Sequence, residues 1–322
     1  MPVLHRRALL LVPLLATPTI ARAQTFPERP VRLVVPFPPG GATDGSARVL
    51  AEYLSRHYGK PVVVENRPGA AGLVAGEMVA RSAPDGLTWL LASAGTLAIS
   101  PFLYRNLTFD PRRELAPVSM VFTTDHVMTV APGLEARDVA SFIRYAKARQ
   151  RPLSFASSGN GTSLHLIGEL FRLRAGLELV HAPYRGSAPA VNDLIAGVVD
   201  CMFDQLPASI TQIRGGLLRA LATTGPRRHP ALPGVPAMAE ILPGFEAQSW
   251  NGMVVPAGTP APLVAQIAAD IAAALADAQV QEKLAPLGAD YAASSPAGMA
   301  AVIEADAARW APVIRDAGIT LT

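Results

Sequence analysis

A strand-like run, Arg32-Leu33-Val34-Val35-Pro36-Phe37, breaks into Pro38-Pro39-Gly40-Gly41-Ala42-Thr43-Asp44 and continues as an amphipathic helix. Far downstream the arrangement recurs. Leu153-Ser154-Phe155-Ala156 runs into Ser157-Ser158-Gly159-Asn160-Gly161-Thr162-Ser163 and then into a helical stretch, residues 164–174. Strands that feed glycine-lined helix starts restrict the chain to α/β layering, because each segment must bury one face against the next. A helix start also exposes unpaired N–H groups and partial positive charge, which suits an anion. Two such starts, far apart in sequence, predict two lobes that close on one small acid.

Further units repeat the strand-then-helix order. Val62-Val63-Val64 precedes a loop through Gly72 and a helix to Val79; residues 87–92 read as a strand ending in Ser93-Ala94-Gly95-Thr96. An apolar region spans 117–130, helical spacing covers 135–149, and the Ser157 loop opens the next unit. Residues 179–184 and 198–203 read as strands, broken by Arg185-Gly186-Ser187 and by Asp204-Gln205-Leu206-Pro207, with a helix to Ala196 between them. In open α/β sheets ligands sit beyond the carboxyl ends of strands, so these loops are expected to share one rim. Residues 226–243 are proline-rich and predicted irregular. Residues 250–255 read as a strand, and alanine-rich stretches 262–284 and 296–316 as two closing helices.

The first residues have the form of an export leader, with basic His5-Arg6-Arg7, an apolar run 8–16 and a small-residue site Ala21-Arg22-Ala23. Residues 1–23 are therefore expected to be a signal peptide, and the mature chain to begin near Gln24. Arg6-Arg7 leaves a twin-arginine route open beside the general secretory one. The apolar run falls short of the roughly 20 residues that cross a bilayer. Cys201 is the only cysteine, which rules out internal disulfides and cysteine-based zinc or iron–sulfur sites. Arg6, Arg7 and Arg22 of the leader account for the whole net charge of +3, so the remaining chain has no electrostatic footprint for nucleic acid. A periplasmic protein without cofactor or metal is expected.

Five motifs then converge: Val35-Pro36-Phe37-Pro38-Pro39-Gly40-Gly41-Ala42-Thr43-Asp44, Val64-Glu65-Asn66-Arg67-Pro68-Gly69-Ala70, Ala83-Pro84-Asp85-Gly86, residues 157–165 ending in Leu164-His165, and Ala182-Pro183-Tyr184-Arg185-Gly186. In this order they resemble the Bug family, the periplasmic solute-binding proteins of tripartite tricarboxylate transporters, also called the TctC family. The resemblance spans nearly the whole mature chain. It implies an α/β, two-lobe periplasmic-binding-protein fold of type II, closing like a flytrap on a small carboxylate. It further implies lobe one at 25–125 plus 248–322, lobe two at 126–247, and a hinge where the chain crosses near Thr124 and Gln248. Such proteins hold the ligand carboxylate mainly through main-chain groups, hydroxyls and water. Neither glycine loop here contains a lysine or arginine, in keeping with that.

The expected ligand-binding set is Phe37, Pro38, Gly40, Gly41, Asp44, Ser93, Thr96, Ser157, Ser158, Gly159, Gly161, Thr162, Ser163, His165, Arg185, Asp204 and Gln205. Each has a plainer alternative. The glycines also permit tight turns; Thr43 and Asp44 also cap a helix, and Asp44 would repel a carboxylate it faced, so it reads as an orienter. Ser158, Thr162 and Ser163 either donate to ligand or cap the second helix. His165 is either a packed histidine or a contact, and Arg185 either a surface base or the one cation for a dicarboxylate. Asp204 and Gln205 are placed to read the far end of a ligand. Ser100 stands where the family usually has asparagine, and Gln205 likewise, so the pocket departs from the family pattern there. Glu65, Asn66 and Arg67 read as scaffold.

Expected partners are a small carboxylate and either the membrane components of a tripartite tricarboxylate carrier or a sensor receptor, with the protein acting as a monomer. A hydrolase built on Ser158, His165 and Asp204 is the competing class. No G-x-S-x-G elbow supports it, and no catalytic residue is assigned. Gly161→Val is expected to crowd the ligand and abolish binding, and Arg185→Ala to cost little.

Overall fold

The computed structural model describes residues 26–321; the expected leader and the cleavage point before Gln24 lie outside them. In chain order the elements are β1 (Val31–Val35), α1 (Ala42–Tyr58), β2 (Val62–Asn66), α2 (Leu73–Ala80), β3 (Thr88–Ser93), a π-helical turn (Gly95–Ile99), and short helices α3 (Ser100–Leu103) and α4 (Pro111–Glu114). There follow β4 (Leu115–Val130), α5 (Val139–Lys147), β5 (Leu153–Ser157), α6 (Ser163–Ala175), β6 (Leu179–Pro183), α7 (Ser187–Ile195), β7 (Cys201–Gln205), α8 (Leu206–Arg214) and β8 (Arg219–Thr223). The chain closes with β9 (Gln248–Pro256), α9 (Ala261–Ala276), α10 (Ala278–Leu284), β10 (Asp290–Tyr291) and α11 (Pro296–Asp316).

Strand pairing runs in the order β2-β1-β3-β9-β4-β7-β5-β6, with β8 and β10 also on β4. The alternation of side chains along each strand explains why these runs are apolar at nearly every position. Leu33, Trp89, Leu91, Met253 and Val255 pack on one face with Leu50 and Leu54 of α1 and Ile267 and Ile271 of α9. Their neighbours Val34, Leu90, Ala92 and Val254 pack on the other face with α2 and α11. β5 and β7 repeat the device, sending Phe155, Cys201 and Phe203 to one side and Ala156 and Met202 to the other.

β4 organises the rest. Residues 115–125 pair antiparallel with β9, ending at Asp125 opposite Gln248. From His126 onward the same strand pairs with β7, and from Val127 also with β8. On either side of this change the strands β2-β1-β3 and β6-β5-β7 are parallel sets. The result is a two-lobe α/β arrangement joined through β4.

Three sequence expectations are corrected. The helix expected over 135–149 begins only at Val139, because Arg219 donates to the carbonyls of Pro132, Leu134 and Ala136 and holds that stretch in turns outside the helix. A capping box between Asp138 and Ser141 then starts the helix. The single helix expected over 262–284 is two, broken at Asp277, whose carboxylate accepts from the N–H groups of Gln279 (2.9 Å) and Val280 (3.1 Å) to start α10. The strand expected over 198–203 begins at Cys201 and runs to Gln205, which carries Asp204 into the sheet. β8 and the two-residue β10 had no counterpart in the sequence reading. Among the described residues no single helix is long and apolar enough to cross a membrane; α9 with the segment after it is bent by 74°.

Removing the cap between α9 and α10 should be felt globally, because Ile271, Leu275, Val280 and Leu284 on both sides of the break pack into one core. Asp277→Ala is expected to lower unfolding free energy by about 1 kcal/mol. Urea denaturation followed by circular dichroism measures it, and Asp277→Asn should recover most of the loss.

Candidate functional site

The parallel strands deliver their carboxyl ends to one cavity of about 540 Å³. After β1 come Phe37, Pro38, Gly41, Ala42 and Thr43; at the end of β3, Ser93, followed by Ala94 and Gly95; after β5, Ser158 and 161–164; after β6, Ser187; and at the end of β7, Gln205. Phe122 and Thr124 of β4 and Ser249, Trp250 and Asn251 of β9 close it from the crossing strands. The starts of α1 and α6 both meet this space. Ala42, Thr43, Ser163 and Leu164 lie in first helical turns, where N–H groups lack intrahelical acceptors, and all four residues line the wall.

Among the described residues no lysine, arginine or histidine lines the cavity, and Asp204 is the one acidic side chain there. Its carboxylate is buried at 1% exposure and accepts from the hydroxyls of Ser187 and, at 2.7 Å, Ser209. Burial raises its pKa, and these two hydroxyls and the Gln205 N–H act against that rise.

The α1 start is built by residues standing behind the wall. Asp44 is buried, and its carboxylate accepts from Gly40 N (3.0 Å), Arg48 Nε (3.0 Å) and Asn66 Nδ2 (2.9 Å). Burial alone would raise the Asp44 pKa; the Arg48, Gly40 and Asn66 donors outweigh it and hold it at about 2. Asn66 also donates to the Phe37 carbonyl at 3.0 Å, so one amide pins both ends of the Pro38–Gly41 loop. Asp44 and Asn66 thus hold the loop that opens α1 from outside the cavity lining. The helix cap position is Gly41, so neither Thr43 nor Asp44 caps.

Behind the α6 start sits a column of neutral rings. His165 and His181 stack at 3.7 Å and 8°, with Phe155 beside them. Gly161 N donates to His165 Nδ1 at 3.1 Å, and His181 Nε2 lies 2.7 Å from Ser157 Oγ, which also holds Gly159 N at 3.1 Å. Burial drives His165 down to about 3, with the His181 ring adding to it, and burial takes His181 to about 4. Thr162 caps α6, accepting from His165 N and donating to the Gly159 carbonyl at 2.8 Å.

The expected set thus divides. Phe37, Pro38, Gly41, Ser93, Ser158, Gly161, Thr162, Ser163, Asp204 and Gln205 meet at the wall. Gly40, Asp44, Thr96, Ser157, Gly159 and His165 do not belong to the lining; Thr96, for example, is fully buried and donates to the Ala71 carbonyl at 3.0 Å. Arg185 is exposed and lies outside the cavity lining. Gly161 has φ 73°, and a Cβ there would meet Leu321 Cδ1 at 2.7 Å and Leu103 Cδ1 at 2.9 Å. The physical basis expected for Gly161→Val is corrected accordingly: the side chain collides with packing behind the loop.

Sequence reading missed Ser187, Ser249, Trp250, Asn251 and Ala71. Ser187 had a signal, since it opens a helix after a strand and a glycine, as Ser163 and Ala42 do. Ala71 has φ 53° between Gly69 and Gly72, a left-handed alanine that the motif Asn66-Arg67-Pro68-Gly69 did not announce. The three β9 residues carry no local signal.

The model for the tripartite tricarboxylate transporter family receptor, TctC, matches residues 46–319. The chain belongs to the TctC family. It is 40% identical to protein BugT of Bordetella pertussis over 301 residues, covering 93% of this chain and 92% of BugT. Among solved structures it is similar to R. palustris Rpa4515 with adipate, at 38% identity and TM-score 0.80 over 92% of this chain and 99% of that one. It is also similar to MatC from Rhodopseudomonas palustris with bound malate, at 31% identity and TM-score 0.75 over 90% and 100%. TctC proteins are periplasmic binding proteins.

The neutral histidines set an acid limit on this TctC protein. Unfolded histidine takes up a proton near pH 6.5, whereas His165 and His181 stay neutral in the folded state until about 3 and 4. The unfolded state binds more protons between these values, so their contribution to stability is full above about pH 6.5 and declines as pH falls toward 4. Denaturant midpoints between pH 8 and 4 should show this fall. His181→Gln should make the slope shallower, whatever it does to stability at pH 8.

Proposed function

We propose that this protein captures a small organic carboxylate between its two lobes in the periplasm and presents it to the membrane components of a tripartite tricarboxylate carrier. The observation that carries this reading is the meeting of the α1 and α6 starts at one cavity that, among the described residues, no cationic side chain lines. Preorganised N–H groups and hydroxyls offer an anion donors without the cost of desolvating a lysine or arginine. The relatives solved with adipate and with malate support a dicarboxylate as the first ligand class to try.

In this reading lobe one comprises residues 25–125 plus 248–322 and lobe two residues 126–247. The hinge lies where β4 exchanges β9 for β7, and ligand favours the closed form only through contacts the open form lacks. Residues 1–23 act as the export leader. The protein has no catalytic function: His165 Nδ1 accepts from Gly161 N and its Nε2 faces Glu169 at 3.9 Å, while Asp204 is held by Ser187 and Ser209. That leaves neither a free base for Ser158 nor an acid to orient one.

Mass spectrometry of small acids released from protein purified from periplasm is expected to find a carboxylate, and adipate or malate to raise the melting temperature. Protein that releases no acid and is stabilised by no member of a mono-, di- and tricarboxylate panel would refute the reading. With the acid so identified, Ser158→Asp should abolish binding by placing a like charge at the wall. Arg185→Ala should cost less than about 1 kcal/mol, as for an exposed charge. Isothermal titration gives the ranking; loss of binding in Arg185→Ala with normal binding in Ser158→Asp would mean an ion-pair mechanism instead.

A further inference from the structure

His126 is the first residue of β4 beyond its pairing with β9, and its imidazole is fully buried. Nε2 lies 3.2 Å from Ser249 Oγ, and Ser249 Oγ lies 3.1 Å from Ser163 Oγ. Ser249 and Ser163 line the cavity while His126 does not. The three groups belong to β4, to the start of β9 and to the first residue of α6, so the row ties the strand crossing to the second helix start. Burial holds the imidazole neutral, lowering its pKa to about 3 against a weaker opposing pull from the Ala247 carbonyl.

A neutral imidazole has one N–H and each serine one O–H, so the direction of the row follows from where the histidine proton sits. Nδ1 has no hydrogen-bond partner, and Ser249 Oγ gives its hydrogen to Ser163 Oγ, which leaves none to donate to Nε2. A buried N–H without an acceptor is costlier than a buried lone pair without a donor. The proton therefore belongs on Nε2. Nε2–H then donates to Ser249, Ser249 spends its hydrogen on Ser163, and the Ser163 hydrogen is the one left unspent, beside the cavity.

We propose that His126 is a positioning residue for ligand capture, which through Ser249 orients the Ser163 hydroxyl as a donor into the cavity. The opposite tautomer would turn a lone pair of Ser163 toward the ligand and repel an anion. The proposal rests on the carboxylate reading only for what the Ser163 hydroxyl meets; the direction of the row is independent of any ligand.

The full chain with ¹⁵N-labelled histidine, free of ligand at neutral pH, tests the row by long-range ¹H–¹⁵N spectra, with His126 assigned through His126→Gln. The expected result is the Nε2–H tautomer, with the His126 Nε2 signal shifted by Ser249→Ala and unmoved by Ser158→Ala, which alters the wall outside the row. An Nδ1–H tautomer, or a His126 signal unmoved by Ser249→Ala, overturns the proposal. Titration with adipate and malate reads the second arm. Ser163→Ala and Ser249→Ala should each weaken whichever acid binds by about tenfold, and the double variant no further, as for members of one network. Fully additive losses would count against the relay. If the tautomer and the Ser249 response hold while neither acid binds, the relay stands and the choice of dicarboxylate as ligand falls.

Discussion

A buried strand must find hydrogen-bond partners along its whole length, and for the 16 residues of β4 no single neighbour supplies them. β9 serves to Asp125, and β7 with β8 takes over from there. The exchange brings the carboxyl ends of β1 and β3 and those of β5 and β7 to a common cavity. Each of these strands ends in a loop that opens a helix or a helical turn. The site is therefore a consequence of how β4 satisfies its backbone.

The cavity's electrostatics follow from the same economy of charge. Asp204 enters the wall with two serine hydroxyls already committed to it, and Asp44 stays behind the wall, ionised by its Arg48, Gly40 and Asn66 donors. His126 and His165 are buried, His181 is half-buried, and burial keeps all three neutral. In the proposed reading an ionised ligand would meet helix N–H groups and hydroxyls oriented beforehand by groups outside the cavity lining. Preorganisation of this kind lowers the cost of binding without placing an uncompensated charge in a buried space.

Much of this was legible in the sequence. The alternating strand and helix units, the two glycine loops, the family motifs and the supporting role of Asp44 and Asn66 could be read directly, because strand and helix periods and turn chemistry are written at separations of two to four residues. The family resemblance then supplied the two-lobe fold and the carboxylate. Helix ends were less legible. Arg219 delays α5 from a distance of more than 80 residues, and Asp277 breaks an alanine-rich run that has helical spacing on both sides.

The sequence by itself determined the layers, the two glycine loops that open α1 and α6, and the absence of cations from those loops. Only the tertiary structure decided which motif residues face the cavity. Gly161 directs its missing side chain toward Leu103 and Leu321, Thr96 turns to Ala71, and Arg185 stays in solvent. It also decided that Ser249, Trp250 and Asn251 close the site and that Ser249 links His126 to Ser163. The reason is separation: His126 and Ser249 are 123 residues apart and Ser163 and Ser249 are 86. No local period records a contact that exists only after β4 and β9 have paired.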